Sequence, residues 1–129
     1  VTFDIIDARR SYIGGVIAPG LAAMTDYLHE KTALLPRIEL RTPETVVGKS
    51  TEEAMLAGAY YGYQGLVRNI LAEIRATVSV GETDGNRLRV VATGGYAELL
   101  LPGIPEIDEV NPNITLEGVR IAGRNRDSH

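Results

Sequence analysis

The chain has 129 residues, enough for one modest domain or part of a larger protein, and its 44% hydrophobic and 23% charged content is that of an ordinary globular protein. A net charge of -4 argues against nucleic acid or an anionic membrane as the principal partner. The absence of cysteine excludes disulfides and thiol nucleophiles, and no apolar run reaches the roughly 20 residues of a membrane span, so we expect a soluble, cytoplasmic protein.

The chain opens with the pattern of a β-hairpin followed by a helix. Residues 2–7 and 12–17 are rich in β-branched and aromatic side chains and are separated by a short polar turn. Gly14 and Gly15 lie in the second strand and allow close approach of another backbone. Apolar residues at helical spacing then predict an amphipathic helix from Leu21 to about Thr32, and residues 34–43 read as a proline-punctuated extended connection.

The longest helical pattern runs from Gly48 to Ser79. Ser50 and Glu53 form a capping box, which marks a helix start and is worth about 1 kcal/mol. Thr51 then occupies the first helical position, where its hydroxyl is free to reach a ligand. One broad apolar face is predicted to be buried. Its members are Met55, Ala59, Tyr63, Leu66, Val67, Ile70, Leu71, Ile74 and Val78.

A second row on this helix contains only small residues, Ala54, Gly58 and Gly62. Each interior glycine costs about 1 kcal/mol relative to alanine, so close approach of another helix would compensate. That helix could belong to a partner subunit or to the same chain.

Shorter elements follow, and their alternation of strand and helix predicts an α/β fold. In order they are a polar turn at 81–86, an apolar strand at 88–92 of the kind that is usually buried, a short helix at 96–101, a loop bracketed by Pro105 and Pro112, and a last helix at 115–125 with a frayed tail after Arg124.

Three familiar site motifs are excluded or disfavoured because the residues that they require are missing or badly placed. A phosphate-binding P-loop needs a glycine where Pro43 stands. A zinc-binding helix needs a second histidine four residues after His29, and Ala33 is there. Catalysis by a Ser-His-Asp triad is disfavoured because His129 is terminal and His29 is predicted on a solvated helix face.

The turn Thr93-Gly94-Gly95 follows the apolar strand. Glycines there would let an adenine ring or ribose lie against bare backbone, although a simple strand-to-helix turn is the more common reason for glycines at such a position. Asp4 could lean toward a magnesium-bound phosphate or simply face solvent.

Taken in order, these segments resemble the bacterial type III pantothenate kinases, members of the sugar kinase, heat-shock protein and actin superfamily. The resemblance covers nearly the whole chain. It is carried by Thr2-Phe3-Asp4, Gly14-Gly15-Val16-Ile17-Ala18-Pro19-Gly20-Leu21, Lys31-Thr32-Ala33-Leu34-Leu35-Pro36, Gly48-Lys49-Ser50-Thr51-Glu52-Glu53-Ala54-Met55, Thr93-Gly94-Gly95 and Leu116-Glu117-Gly118-Val119.

The resemblance implies an actin-like, ribonuclease H-like domain with a mixed sheet, flanking helices and one long central helix. It implies ATP-dependent phosphorylation of pantothenate, the first step of coenzyme A biosynthesis, with magnesium and a monovalent cation such as potassium or ammonium, in a homodimer. By the same resemblance Thr51 contacts pantothenate, Thr93, Gly94 and Gly95 border the nucleotide, and Gly14 and Gly15 lie near the cleft without a definite contact.

One departure from the family is large. The phosphate-binding, proton-accepting and cation-binding turns that the family carries ahead of Thr2-Phe3-Asp4 have no counterpart in this sequence. Residues 1–129 are therefore predicted to be the C-terminal domain of a two-domain kinase, with no catalytic residue and no metal ligand of its own and no activity alone. A non-catalytic regulatory or dimerisation module of the same fold, and a kinase for another small alcohol, are the alternatives.

Overall fold

A computed structural model describes residues 1–78 and 88–126. The described residues divide into two compact units, one from Val1 to Tyr63 and one beginning at Gln64. The predicted turn at 81–86 and the tail beyond Arg126 lie outside the described residues. In chain order the elements are β1 (Thr2–Ile6), β2 (Tyr12–Ile17), α1 (Leu21–Lys31), α2 (Thr51–Val78), β3 (Val91–Ala92), α3 (Ala97–Leu100), β4 (Glu109–Val110) and α4 (Ile114–Arg126).

The predicted hairpin is confirmed. Strands β1 and β2 pair antiparallel, with Thr2 opposite Ile17. The Asp7 carboxylate closes the connecting turn by accepting the backbone N–H groups of Arg9 and Ser11, both at 2.9 Å. The hydrogen bond from Ser11 is the main reason that the pKa of Asp7 lies below its ordinary value. The side chain of Asp7 therefore specifies the turn.

In the first unit, the core forms around α1 and the first half of α2. The predicted burial of Met55, Ala59 and Tyr63 is confirmed, and burial raises the pKa of the Tyr63 hydroxyl. The buried face is broader than the apolar spacing indicated. On α2 it also includes Leu56, Ala57 and Tyr60, and α1 contributes Leu21 and Thr25 to the same core.

The second unit has its own core, built on the second half of α2. Val67, Leu71 and Ile74 are buried as predicted, and they share this core with Leu100 and Ile104. Ile104 follows a short 3-10 turn, Leu101–Gly103, and is only 1% exposed. The fold therefore places one long helix in the cores of both units.

The predicted α/β class is confirmed, but the strands that the structure describes differ from the predicted mixed sheet. Among the described residues there are two separate two-stranded sheets, β1 with β2 and β3 with β4. The second pair is parallel, with Val91 opposite Glu109. Strand β3 keeps only Val91 and Ala92 of the predicted 88–92 segment, and Val91 is 40% exposed rather than buried. A two-residue strand paired on one side cannot bury the apolar run.

Candidate functional site

The N-terminus of α2 is fixed by the predicted capping box. The Ser50 hydroxyl oxygen accepts the backbone N–H of Glu53 at 3.2 Å. The Glu53 carboxylate reaches back to the N–H of Lys49 at 2.6 Å, one residue earlier than the usual box. Thr51 is consequently the first helical residue, as predicted, and its side chain is exposed.

Gly48 makes this geometry possible. A Cβ at Gly48 would overlap the backbone of Glu53 and Ala54 in the first turn of α2. Those atoms are fixed by helical hydrogen bonds, including one from the N–H of Ala54 to the carbonyl oxygen of Ser50 at 2.9 Å. The chain can therefore pass close to the helix start only with glycine at this position. The sequence motif indicated a turn here but not this contact.

The Thr51 hydroxyl has no hydrogen-bond partner within the described parts of the chain. It lies on the same face of α2 as Ala54, Met55 and Gly58, because helical residues three, four and seven apart are neighbours. These residues line one side of an apolar cavity of about 610 Å³. The other side is formed by α1, through Met24, Tyr27 and Leu28.

The hydroxyl of Thr25, the buried polar side chain beside this cavity, has its hydrogen-bond partner within its own helix. The Thr25 hydroxyl donates to the carbonyl oxygen of Ala22 in its own helix at 3.0 Å. The cavity wall is thus apolar, and Thr51 offers an exposed hydroxyl one helical turn away. Such an arrangement suits a small ligand with both an apolar part and a polar group.

The small-residue row on α2 is open. Ala54, Gly58 and Gly62 are all exposed, and a Cβ at either glycine would meet nothing within 4 Å. Within the described residues, no neighbouring group packs closely enough on Gly58 or Gly62 to offset the cost of these glycines in the helix. Ala54 and Gly58 line the cavity described above, and Gly62 remains available for close approach of another surface.

In the second unit, the turn Thr93-Gly94-Gly95 leads from β3 toward α3. Gly94 has φ +104°, a conformation that L side chains rarely adopt, so glycine is required there. The carbonyl oxygen of Gly94 accepts the N–H of Ala97 at 3.2 Å, which closes the turn before the helix. All three turn residues are exposed, and a Cβ at Gly95 would meet nothing within 4 Å. The backbone here is accessible to a flat ligand.

Parallel pairing of β3 and β4 places a residue that the sequence did not single out beside this turn. The N–H of Asn111 donates to the carbonyl oxygen of Ala92 at 2.8 Å, so Asn111 follows β4 where Thr93 follows β3. Strand β4 was missed because only two residues form it, inside a stretch read as a loop. The pairing of β4 with β3 brings the carboxyl-terminal ends of these two strands together. Ligands usually bind at this end of parallel strands.

Gly14 and Gly15 have a local structural role. Gly14 has φ +137°, and a Cβ at Gly15 would overlap the carbonyl oxygen of Phe3 on β1. Gly14 lies beside the irregularity in the strand pairing, and Gly15 is required by the close approach of β1. Asp4 lies opposite Gly15 in that pairing and is exposed.

His29 is used structurally, since its Nδ1 lies 2.9 Å from the carbonyl oxygen of Leu35 and ties α1 to the following connection. Within residues 1–78 and 88–126 no cluster of three or more histidine or acidic side chains could hold a metal ion. In the same ranges, no helix combines the length and apolar character needed to cross a membrane.

A sequence model of the type III pantothenate kinases matches residues 1–73, more than half of the chain and all of the first unit. The chain belongs to the type III pantothenate kinase family. The predicted resemblance is thereby confirmed at the level of the family.

Curated members of the family match most of the chain. The type III pantothenate kinase of Akkermansia muciniphila is 54% identical over 122 residues, 95% of this chain and 48% of that protein. The kinases of Methylacidiphilum infernorum and Geotalea uraniireducens are 43% and 44% identical over 95% and 98% of the chain, respectively. The chain thus spans about half the length of the relatives that it matches.

Proposed function

We propose that this chain is the C-terminal, actin-like domain of a kinase that transfers the terminal phosphoryl group of ATP to the primary 4′-hydroxyl of pantothenate, the first step of coenzyme A biosynthesis. The observation that carries this proposal is the exposed hydroxyl of Thr51, unpaired within the described residues, beside an apolar cavity, in a chain belonging to this family. The curated relatives named type III pantothenate kinase support the reaction.

Pantothenate fits the chemistry of this part of the chain. It has a branched apolar portion next to its hydroxyl groups and an amide. The cavity wall of Met24, Met55 and Gly58 would contact the apolar portion. Thr51 would donate or accept one hydrogen bond at a polar group of the substrate, which orients it for transfer.

For ATP, we propose the turn Thr93-Gly94-Gly95, with Asn111 beside it. The exposed backbone of the two glycines would lie against the adenosine. Magnesium and a monovalent cation, potassium or ammonium, are part of the proposal through the family resemblance. Phosphoryl transfer needs metal, phosphate cradle and base together, so residues 1–129 alone are predicted to be inactive.

A homodimer and a cytoplasmic location complete the proposal. The homodimer rests on the family resemblance, and Gly62, the one member of the small-residue row on α2 outside the cavity wall, is exposed where a partner subunit would approach closely. The cytoplasmic location rests on the composition of the chain.

The test uses a chimera in which these 129 residues replace the matching half of the Akkermansia muciniphila kinase. Thr51→Ala should raise the KM for pantothenate by about 3–10-fold, the effect of losing one hydrogen bond, while the KM for ATP stays constant. Thr51→Ser should restore most of the loss. Glu52→Ala, at the neighbouring exposed position, is the matched control.

Unchanged pantothenate kinetics in Thr51→Ala would contradict the substrate role. An active chimera that prefers another alcohol in a panel of acceptors would favour a related kinase. A folded chimera without activity on any acceptor would favour a non-catalytic module.

A further inference from the structure

The side chain of Gln64 is a polar group within the apolar core of the second unit. It is only 6% exposed. Val67 and Leu71 lie three and seven residues later on the same face of α2 and are buried with it. A buried amide costs free energy unless its hydrogen-bonding groups are paired, so the partner of this amide indicates its role.

The amide of Gln64 holds the C-terminal end of α3. Its nitrogen donates to the carbonyl oxygen of Leu100, the last residue of that helix, at 3.1 Å. Helix α3 has only four residues, and a single helical turn is not stable in water without contacts to the rest of the protein. The Leu100 side chain is buried as well, so this residue holds α3 both through apolar packing and through the hydrogen bond.

Gly103 makes room for the amide. A Cβ at Gly103 would overlap the end of the Gln64 side chain, so the amide lies directly against the backbone of the 3-10 turn. Apolar packing is non-directional, whereas a hydrogen bond weakens steeply when it is bent or stretched. The amide therefore fixes one position of α3 on α2, which packing of the Leu100 side chain alone would not do.

Helix α3 is joined closely to the turn Thr93-Gly94-Gly95. The carbonyl oxygen of Gly94 accepts the N–H of Ala97 at 3.2 Å, and the carbonyl oxygen of Tyr96 accepts the N–H of Leu100 at 3.1 Å. Only about 4.5 Å along the helix axis separates Ala97 from Leu100. A shift at the C-terminal end of α3 would therefore move the exposed backbone of the turn.

We propose that Gln64 is a positioning residue for the nucleotide. By fixing α3 on α2, its amide holds the bare backbone of Gly94 and Gly95 in one position before ATP binds. A preformed surface binds more tightly, because the ligand does not have to order it. The role of Gln64 rests on the proposed function, in which this turn borders ATP, and Gln64 acts through α3 without touching the nucleotide.

Kinetics of the Akkermansia muciniphila chimera test this role. Gln64→Met keeps the approximate length and volume of the side chain but removes the hydrogen-bond donor. It should raise the KM for ATP by about 3–10-fold, the effect of losing one hydrogen bond, and leave the KM for pantothenate unchanged. Gly103→Ala displaces the same amide and should also raise the KM for ATP alone.

Ile74→Val is the matched control for a general loss of stability. Ile74 is buried in the same core on α2, and removing one methyl group from it destabilises the unit without touching the hydrogen bond of Gln64. Both KM values should stay at the parent level in this variant. If Ile74→Val raised the KM for ATP as much as Gln64→Met does, the effect would follow from stability alone, and the proposal would be overturned.

Gly95→Ala distinguishes failure of this role from failure of the proposed nucleotide turn. If Gly95→Ala raises the KM for ATP and Gln64→Met does not, the turn borders the nucleotide but Gln64 does not position it, which overturns the proposal. If neither substitution changes the KM for ATP, the nucleotide turn itself is wrong, and the role of Gln64 is overturned with it.

If the chimera is inactive, hydrogen exchange in the 129-residue chain provides the second measurement. The amides of Ala97 and Leu100 form the hydrogen bonds that join the turn to α3. They should exchange at least about ten times faster in Gln64→Met than in Ile74→Val, because only the first substitution releases α3. Equal exchange in the two variants would overturn the proposal.

Discussion

The side-chain amide of Gln64 fills the space that a Cβ on Gly103 would occupy. Gln64 is buried, and its amide nitrogen donates to the carbonyl oxygen of Leu100 at 3.1 Å. The long helix is thereby fixed to the turn after α3 by one polar side chain that fits against a bare backbone. A buried amide needs its hydrogen bond, because leaving a buried polar group unpaired costs about 1–3 kcal/mol.

Substituting Gly103→Ala should lower the free energy of unfolding by about 1–3 kcal/mol. The added methyl group displaces the Gln64 amide and breaks its bond to Leu100. Urea denaturation measures the change. Gly118→Ala, at an exposed helical glycine with open space, should be neutral or stabilising. Equal stability of the two variants would contradict this contact.

The contribution of the α2 cap to stability can be measured by comparing Glu53 with Glu52, a neighbour of the same charge. Glu53→Ala and Glu52→Ala both remove a carboxylate from the first turn, so their effects on the helix dipole are similar. Only Glu53→Ala also removes the hydrogen bond to Lys49. Glu53→Ala should therefore be less stable by about 1 kcal/mol in thermal or urea unfolding. No difference would mean that the cap does not persist in solution.

Substitutions at the two adjacent glycines of the proposed nucleotide turn distinguish the effect of backbone strain on stability from the effect of a lost ligand contact. Gly94→Ala forces a side chain to φ +104° and should destabilise the fold by about 1–2 kcal/mol. Gly95→Ala meets no atom and should leave stability unchanged. In the active chimera, Gly95→Ala should nevertheless raise the KM for ATP without changing the KM for pantothenate. An unaltered KM for ATP would remove Gly95 from the proposed site.

Glu106 makes the second unit sensitive to acid. The hydrogen bond from Arg68, 2.9 Å from the carboxylate, is the main reason that the pKa of Glu106 lies below its ordinary value of 4.5. Because the pKa of Glu106 is lower in the folded state, its carboxylate stabilises the fold at pH values above the ordinary pKa of the unfolded chain. This stabilisation is lost as the pH falls toward and below the pKa of the folded state.

The Glu106→Gln variant should therefore lose stability less steeply than the parent as the pH drops below 4.5. Chemical denaturation across the acidic range measures the slope. Glu98→Gln, at an exposed carboxylate on α3, is the matched control for the loss of one negative charge. Parallel curves for Glu106→Gln and the parent would show that the ion pair with Arg68 is not formed.

Local sequence signals predicted the elements that local interactions define. The capping box of Ser50 and Glu53 placed the start of α2 at Thr51, and the apolar repeat identified most of its buried face. Contacts between distant segments could not be read in this way. The fit of Gln64 against Gly103 and the pairing that creates β4 join residues far apart in the chain and have no periodic pattern. The family resemblance, by contrast, came from several short motifs in a fixed order.

The turn at Asp7 bears on the order in which the chain folds. Its closing hydrogen bonds span at most four residues, so almost no loop entropy opposes them. Strands β3 and β4 are paired across 18 positions, as in Val91 with Glu109. Because hairpins form within about 1–10 microseconds, whereas pairings distant in sequence are slower, we expect β1 and β2 to meet before β3 finds β4.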